Sequence, residues 1–242
     1  GDYAYIGHIP NPQRIGTSIL DVSDPRKPRI AALIEIDDPE SHSHKVRAIG
    51  NIMIVNHERN TSAIGRRADE LPRVRLALRE KLGRDPNPVE LAEKLGVKQT
   101  DLALAEAAAR NPYANGGFKI YDVSDRTKPE LIAYHKTGGI GVHRFDMDEK
   151  FAYISTEMPG YVGNILVIYD IGNPARPEEV SRWSMPGQHA AAGETPNPQG
   201  RRHRLHHALR FGDELWASCW FAGVRVIGVS DIRAPRTLGE YN

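Results

Sequence analysis

A single cysteine, Cys219, in 242 residues excludes an internal disulfide framework and a thiolate metal cage. No stretch approaches the roughly 18 apolar residues that a membrane-spanning helix needs. Lys and Arg number 32 against 31 Asp and Glu, so no global field recruits nucleic acid or an anionic membrane. There is no Gly-x-Ser-x-Gly elbow, no Gly-Lys-Ser/Thr phosphate loop and no dinucleotide fingerprint opening a helix. Serine-hydrolase, nucleotide and nicotinamide chemistry are weak readings for that reason. An initiating Met is missing too: the chain opens on Gly1 and enters a strand-like segment at once, leaving room for a targeting segment upstream. A soluble protein, cytoplasmic for preference, is the expectation. What the chain does have in quantity is histidine, ten in all.

Internal repetition comes next. GTSILDVSDPRKPRIAALIEID (16–37) returns as GGFKIYDVSDRTKPELIAYHKTGG (116–139), as GNILVIYDIGNPARPEEVSRWSMPG (163–187) and as AGVRVIGVSDIRAPRTLGEY (222–241). Each unit is a β-branched run closing on Asp-Val-Ser-Asp or a near variant, a Pro turn, and a second apolar run, which reads as a tight reversal between antiparallel strands. Ahead of three units lies another strand pair: KVRAIGNIMIVNH (45–57), RFDMDEKFAYIST (144–156) and ALRFGDELWASCW (208–220). The first unit shows only DYAYIGH of its pair, so its opening strand is expected upstream of Gly1. Four short strands per unit, with a unit on the order of 45 residues, predict the blades of a β-propeller. A β-sandwich has similar strands but would not repeat a signature.

The pattern Gly-x-x-hydrophobic-(Ile/Tyr)-Asp-(Val/Ile)-Ser-Asp-Pro resembles the LVIVD-repeat family of bacterial β-propellers. The resemblance covers nearly all of the chain outside residues 59–115 and extends to the Gly193–Pro196 loop and the His206-His207 pair. It implies more than four blades, with seven expected for the complete ring, and a shared site on one rim. It names no reaction.

Residues 59–115 interrupt the β pattern and separate propeller segments 1–58 and 116–242. A helix is expected over 70–82 with Pro72 in its first turn. Asn87-Pro88 opens a second that Gly96 stops, and Thr100 caps a third. LAEKLGVKQTDLALAEAAA resembles the helix-turn-helix of bacterial sigma factors. Its second helix is Ala/Leu-rich with Asp101 and Glu106, offering little to phosphates or bases. A helical lid or a homo-oligomer contact is the expectation, with neither nucleic acid nor membrane as partner.

Antiparallel alternation places the connection between second and third strands on the same rim as the connection between blades. His44, His143 and His206 stand in register before the first strands of successive blades (HKVRAIG, HRFDMDE, HHALRFG), and His8 and His57 close second strands. His42, His189, His203 and His207 lie in or beside inter-blade connections, which leaves only His135 off this rim. The expected metal ligands are His44, His143, His206, His207, His57 and His8, holding a divalent transition ion (Zn, Mn, Fe or Cu). Which of His206 and His207 faces the channel stays open, because neighbours on a strand point to opposite sides. Glu157, Tyr161 and Glu194 are candidates to move a proton. Arg144, Arg201, Gln188 and His189 are candidates to bind substrate, an arginine holding a carboxylate by two parallel bonds. These residues together predict a metal-dependent propeller enzyme, lyase or hydrolase, acting on a small anionic or aromatic substrate at the channel mouth. Cu or Fe would permit oxidation with the same ligands. The alternative is a non-catalytic propeller whose rim binds a protein.

Overall fold

The computed structural model describes residues 1–38, 40–60, 63–110, 113–195 and 203–241, and among them strands, sixteen in all, are the predominant element. The first sheet is β1 (Tyr3–Gly7), β2 (Ile15–Asp21) and β3 (Arg29–Glu35). After the short β4 (Ser41–His42) comes the second: β5 (Val46–Ile49), β6 (Ile52–Arg59), β7 (Gly117–Asp122) and β8 (Glu130–Lys136). The third is β9 (Gly138–Met147), β10 (Phe151–Glu157), β11 (Asn164–Asp170) and β12 (Glu178–Trp183). The fourth is β13 (Arg204–Phe211), β14 (Glu214–Trp220), β15 (Gly223–Gly228) and β16 (Arg236–Tyr241). Every pairing is antiparallel, and each sheet is a meander in chain order. The second and third sheets meet through a bridge from Glu58 on β6 to Gly141 on β9.

The repeated Asp-Val-Ser-Asp signature has a local cause. Asp21, Asp122 and Asp170 each accept a hydrogen bond from the amide two residues on, at 2.9, 2.7 and 2.8 Å. The next Asp or Asn, at 24, 125, 173 and 231, does the same for the amide two residues beyond it. Two successive side-chain-held turns reverse the chain between the third and fourth strands of the first three units, and the last unit, with Gly228 at the first position, keeps only the second turn. The residue after the first Asp position then reaches back to the turn before its neighbouring strand. Val22, Val123, Ile171 and Val229 donate to the carbonyls of Asp2, Asn51, Lys150 and Asp213 at 2.7 to 2.8 Å. The four units are equivalent bond for bond here.

Successive sheets pack face to face. Ile19 meets Met53, Val55 and Tyr121 between the first and second. Ile54 and Phe118 meet Phe145, Ile154 and Ile165 between the second and third. Tyr153, Leu166 and Trp183 meet Leu205, Leu215 and Ile227 between the third and fourth. An inner sheet is covered on both faces, so β11 reads as an unbroken apolar run, Ile165 to Tyr169. In β14 the alternation returns: Leu215, Ala217 and Cys219 are buried while Trp216 and Trp220 are exposed. The architecture is mostly β and propeller-like, a succession of blade-shaped sheets.

Residues 60–113 form a separate compact unit. Its helices are α1 (Ala63–Leu82), α2 (Pro88–Leu95) and α3 (Gln99–Arg110), closed over Leu71, Val74, Leu91, Leu95 and Leu102. Asn87 and Glu90 make a reciprocal cap at the start of α2, and Gly96 ends it at φ +65°. α1 begins at Ala63, so Pro72 falls inside it rather than in its first turn. Among the described residues no helix is long and apolar enough to cross a membrane.

Candidate metal centre

The end of β6 is flanked on one side by β4, which sets His42 opposite Glu58, and on the other by β9, which sets Gly141 opposite the same residue. That close approach needs glycine. Gly141 has φ +92°, and a Cβ there would lie 2.4 Å from the His57 carbonyl oxygen and 2.5 Å from Gly116 Cα. The glutamate between the two strands is consequently buried, with 7% of its side chain exposed.

Three imidazoles surround its carboxylate. His143 Nδ1 lies 3.0 and 3.2 Å from the two oxygens and donates to them. His42 Nε2 and His44 Nδ1 stand 3.5 and 3.6 Å from Oε2. The row continues through ring centroids 4.6 Å apart for His42 and His44, 5.6 Å for His44 and His143, and 5.1 Å for His143 and His206. Trp220 closes it, edge-on to His206 at 5.2 Å. One further residue fixes the frame. Asn56, fully buried, donates to the Val142 carbonyl at 2.9 Å, accepts from the Lys45 amide at 2.8 Å and sets its Nδ2 3.2 Å from His44 Nδ1.

Burial lowers the pKa of His42, His44 and His206. His44 is pushed down to about 2, by desolvation first and then by the nearby His42 and Lys45. His206 falls to about 4 by burial and the charge of Arg144. Burial also lowers His42, with Glu58 opposing it.

His42, His44 and Glu58 bring one ligand atom each to within 4.8 Å of the others. Tetrahedral donors about 2.1 Å from an ion stand roughly 3.4 Å apart, so a small inward adjustment completes the set. His42 turns Nε2 toward Glu58, and its other ring nitrogen, Nδ1, is buried without a hydrogen-bond partner. The group could hold a metal.

The other residues named from the sequence fall as follows. His206 turns toward His143, whereas the next residue, His207, donates Nε2–H to the Phe145 carbonyl at 3.1 Å. His57 faces away from Glu58 and donates Nδ1–H to the Asn115 carbonyl at 2.7 Å, beside the Tyr134 hydroxyl. His8 pairs with the Ser18 hydroxyl at 2.8 Å. Glu157 accepts from the Ile140 amide at 3.1 Å. Tyr161 stacks on His189 with centroids 4.3 Å apart. Glu194 accepts from the amides of Gly187 and His189. Gln188, 2% exposed, accepts from Met185 and donates to the carbonyls of Val162, Asn164 and His203. Arg144 lies beside the imidazole row, and Arg201 lies outside the described residues. The structure thus gathers His44, His143, His206 and Arg144, and holds the 185–195 loop together with Gln188, His189, Tyr161 and Glu194. Glu58, Asn56 and Lys45 escaped sequence reasoning. A His-x-His pair in the connection ahead of a strand pair that ends in Glu is the signal that could have found the first.

Residues 146–184 match the LVIVD repeat, which bears out the family resemblance over that segment. A comparison with curated proteins finds no match. Among solved structures the whole chain aligns with a periplasmic gluconolactonase of Pseudomonas aeruginosa at TM-score 0.53 and 12% identity. The chain spans about half of that protein, 54% of its length. A Bacteroides fragilis protein provisionally assigned as a 6-phosphogluconolactonase aligns over 98% of this chain and 67% of its own, at TM-score 0.41 and 10% identity. The first likeness concerns the fold.

Proposed function

We propose that the chain is a metal-dependent hydrolase centred on His42, His44 and Glu58, acting on a small anionic substrate at the mouth of a propeller channel. The observation that carries the reading is the buried Glu58 carboxylate facing three imidazoles drawn from two sheets. Zn, Mn, Fe and Cu all suit such a mixed nitrogen and oxygen donor set. Imidazoles kept neutral by burial take a cation with no proton to displace. A divalent ion held there supplies Lewis acidity toward a carbonyl oxygen and brings the pKa of a water toward about 7.

The chain's own residues do the rest. His143 donates a hydrogen bond from Nδ1–H to Glu58, leaving Nε2 as the acceptor on a ring 28% exposed. In this reading Nε2 takes the proton of the attacking water. Glu157, Tyr161 and Glu194 are engaged in loop contacts, which is why the role passes to His143. Arg144 holds the negative group of the substrate. The gluconolactonase comparison agrees with hydrolysis at a carbonyl, and a cyclic ester is the substrate to try first. A ring of seven blades belongs to the same reading.

Protein purified without a His tag should carry about one equivalent of transition metal by mass spectrometry. Chelation should abolish hydrolysis of a lactone that also bears a free carboxylate, and Zn or Mn should restore it. Failure to bind stoichiometric metal even after reconstitution would overturn the proposal.

A further inference from the structure

Lys45 and Arg144 directly follow His44 and His143, so they hold equivalent positions in the first-strand segments of neighbouring sheets. Both are partly buried, and among the described residues neither forms an ion pair. The Nε of Arg144 is buried with no hydrogen-bond partner. A guanidinium is rarely left so, because its planar fork is built to be filled.

The charges around this spot do not balance. Arg144 lies close enough to Lys45 to depress it further than burial alone does, and its charge reaches His44 and His206 as well. The carboxylate that acts on Lys45 is Glu58, already shared among three imidazoles. Asp146, further along β9, is committed to Arg47 at 3.0 Å and to the Arg210 amide at 2.9 Å. Among the lysine, arginine and carboxylate side chains here, Lys45 and Arg144 against Glu58 leave one positive charge in excess. A monoanion would balance it, and a dianion would overshoot.

We infer that Lys45 and Arg144 form a carboxylate subsite, and that the substrate is a small monocarboxylate held by its acid group beside the imidazole row. Arg144 supplies the directional N–H fork, and Lys45 supplies a point charge. The inference rests on the hydrolase reading for what happens to the bound molecule, but the binding itself needs no metal.

The experiment therefore uses metal-free protein. Acetate is titrated while the ring protons of His143 and His206 are followed by NMR, with acetamide as the neutral isostere and inorganic phosphate as the dianionic arm. Acetate should shift both rings saturably, and acetamide should not. Arg144→Gln should weaken acetate by about tenfold or more, and Lys45→Gln should weaken it less. Glu58→Gln raises the local excess from one charge to two, so it should bind acetate more tightly, an effect no merely structural role would give. Unchanged acetate binding in Arg144→Gln, equal shifts from acetamide, or tighter binding of phosphate through the same residues would each overturn the subsite. Should Arg144→Gln fail to fold, the opposite signs expected for Lys45→Gln and Glu58→Gln carry the test. Acetate bound without any metal affinity would sink the hydrolase reading and leave the subsite. Metal bound without acetate would do the reverse.

Discussion

Replacing Glu58 by Gln keeps the shape of the side chain and removes its charge, at a position where little solvent is present to make up the difference. The Gln oxygen can still accept from His143 Nδ1, now 3.0 Å away, so that contact survives as a neutral hydrogen bond. Exchange of a charge-assisted bond for a neutral one lowers the stability of the metal-free protein by about 1 kcal/mol. The cost to metal binding is far larger. Loss of a group that merely supports a ligand weakens metal binding about 10- to 100-fold, so loss of a ligand carboxylate should exceed 100-fold. At a free metal concentration about 100 times the wild-type dissociation constant, the native protein gains roughly 2.7 kcal/mol and the variant close to nothing. Thermal melts with and without added Zn therefore separate the two effects: a small difference without metal, and a large one with it. Mass-spectrometric metal content gives the stoichiometry in parallel. A Gln variant that keeps one equivalent of metal at unchanged affinity would refute the assignment of Glu58 as a ligand.

Gly141→Ala should destabilise the protein by about 3 to 5 kcal/mol, combining a positive φ with a Cβ driven into two backbone atoms. Urea denaturation checks this, and a change under about 1 kcal/mol would contradict the packing described for β6 and β9. His206 should titrate near pH 4 in the metal-free protein, followed through its ring protons, and a midpoint above about 6 would contradict its environment. Its folded pKa lies below the ordinary value of 6.5, so the unfolded chain takes up the proton first. Its contribution to stability is accordingly intact above about pH 6.5 and is lost as the pH falls toward 4, which melting curves across that window should register.

Much of the fold was legible because its causes are local. The Asp-Val-Ser-Asp turns close on amides two residues away, and β-branched runs mark the strands on either side. The in-register histidines were legible for the same reason, as a pattern along one chain. Glu58 was not, because its burial comes from two segments far from it in sequence: β4, and β9 beyond the helical unit. In isolation a Glu two residues before Asn60 reads as a strand end in solvent. Gln188 and Glu194 show a second side of the same limit. Polar residues in a long loop look poised for chemistry, and a loop without ladder partners must also satisfy its own amides and carbonyls, which these two side chains do.

Glu58 and His143 come from different sheets, so their contact records the alignment of one blade against the next. Warming that eases this seam by about an ångström, with every strand still formed, is enough to scatter the donor atoms. Catalysis should then fade at a lower temperature than the circular dichroism of the strands, making the centre a gauge of how tightly neighbouring blades are clasped.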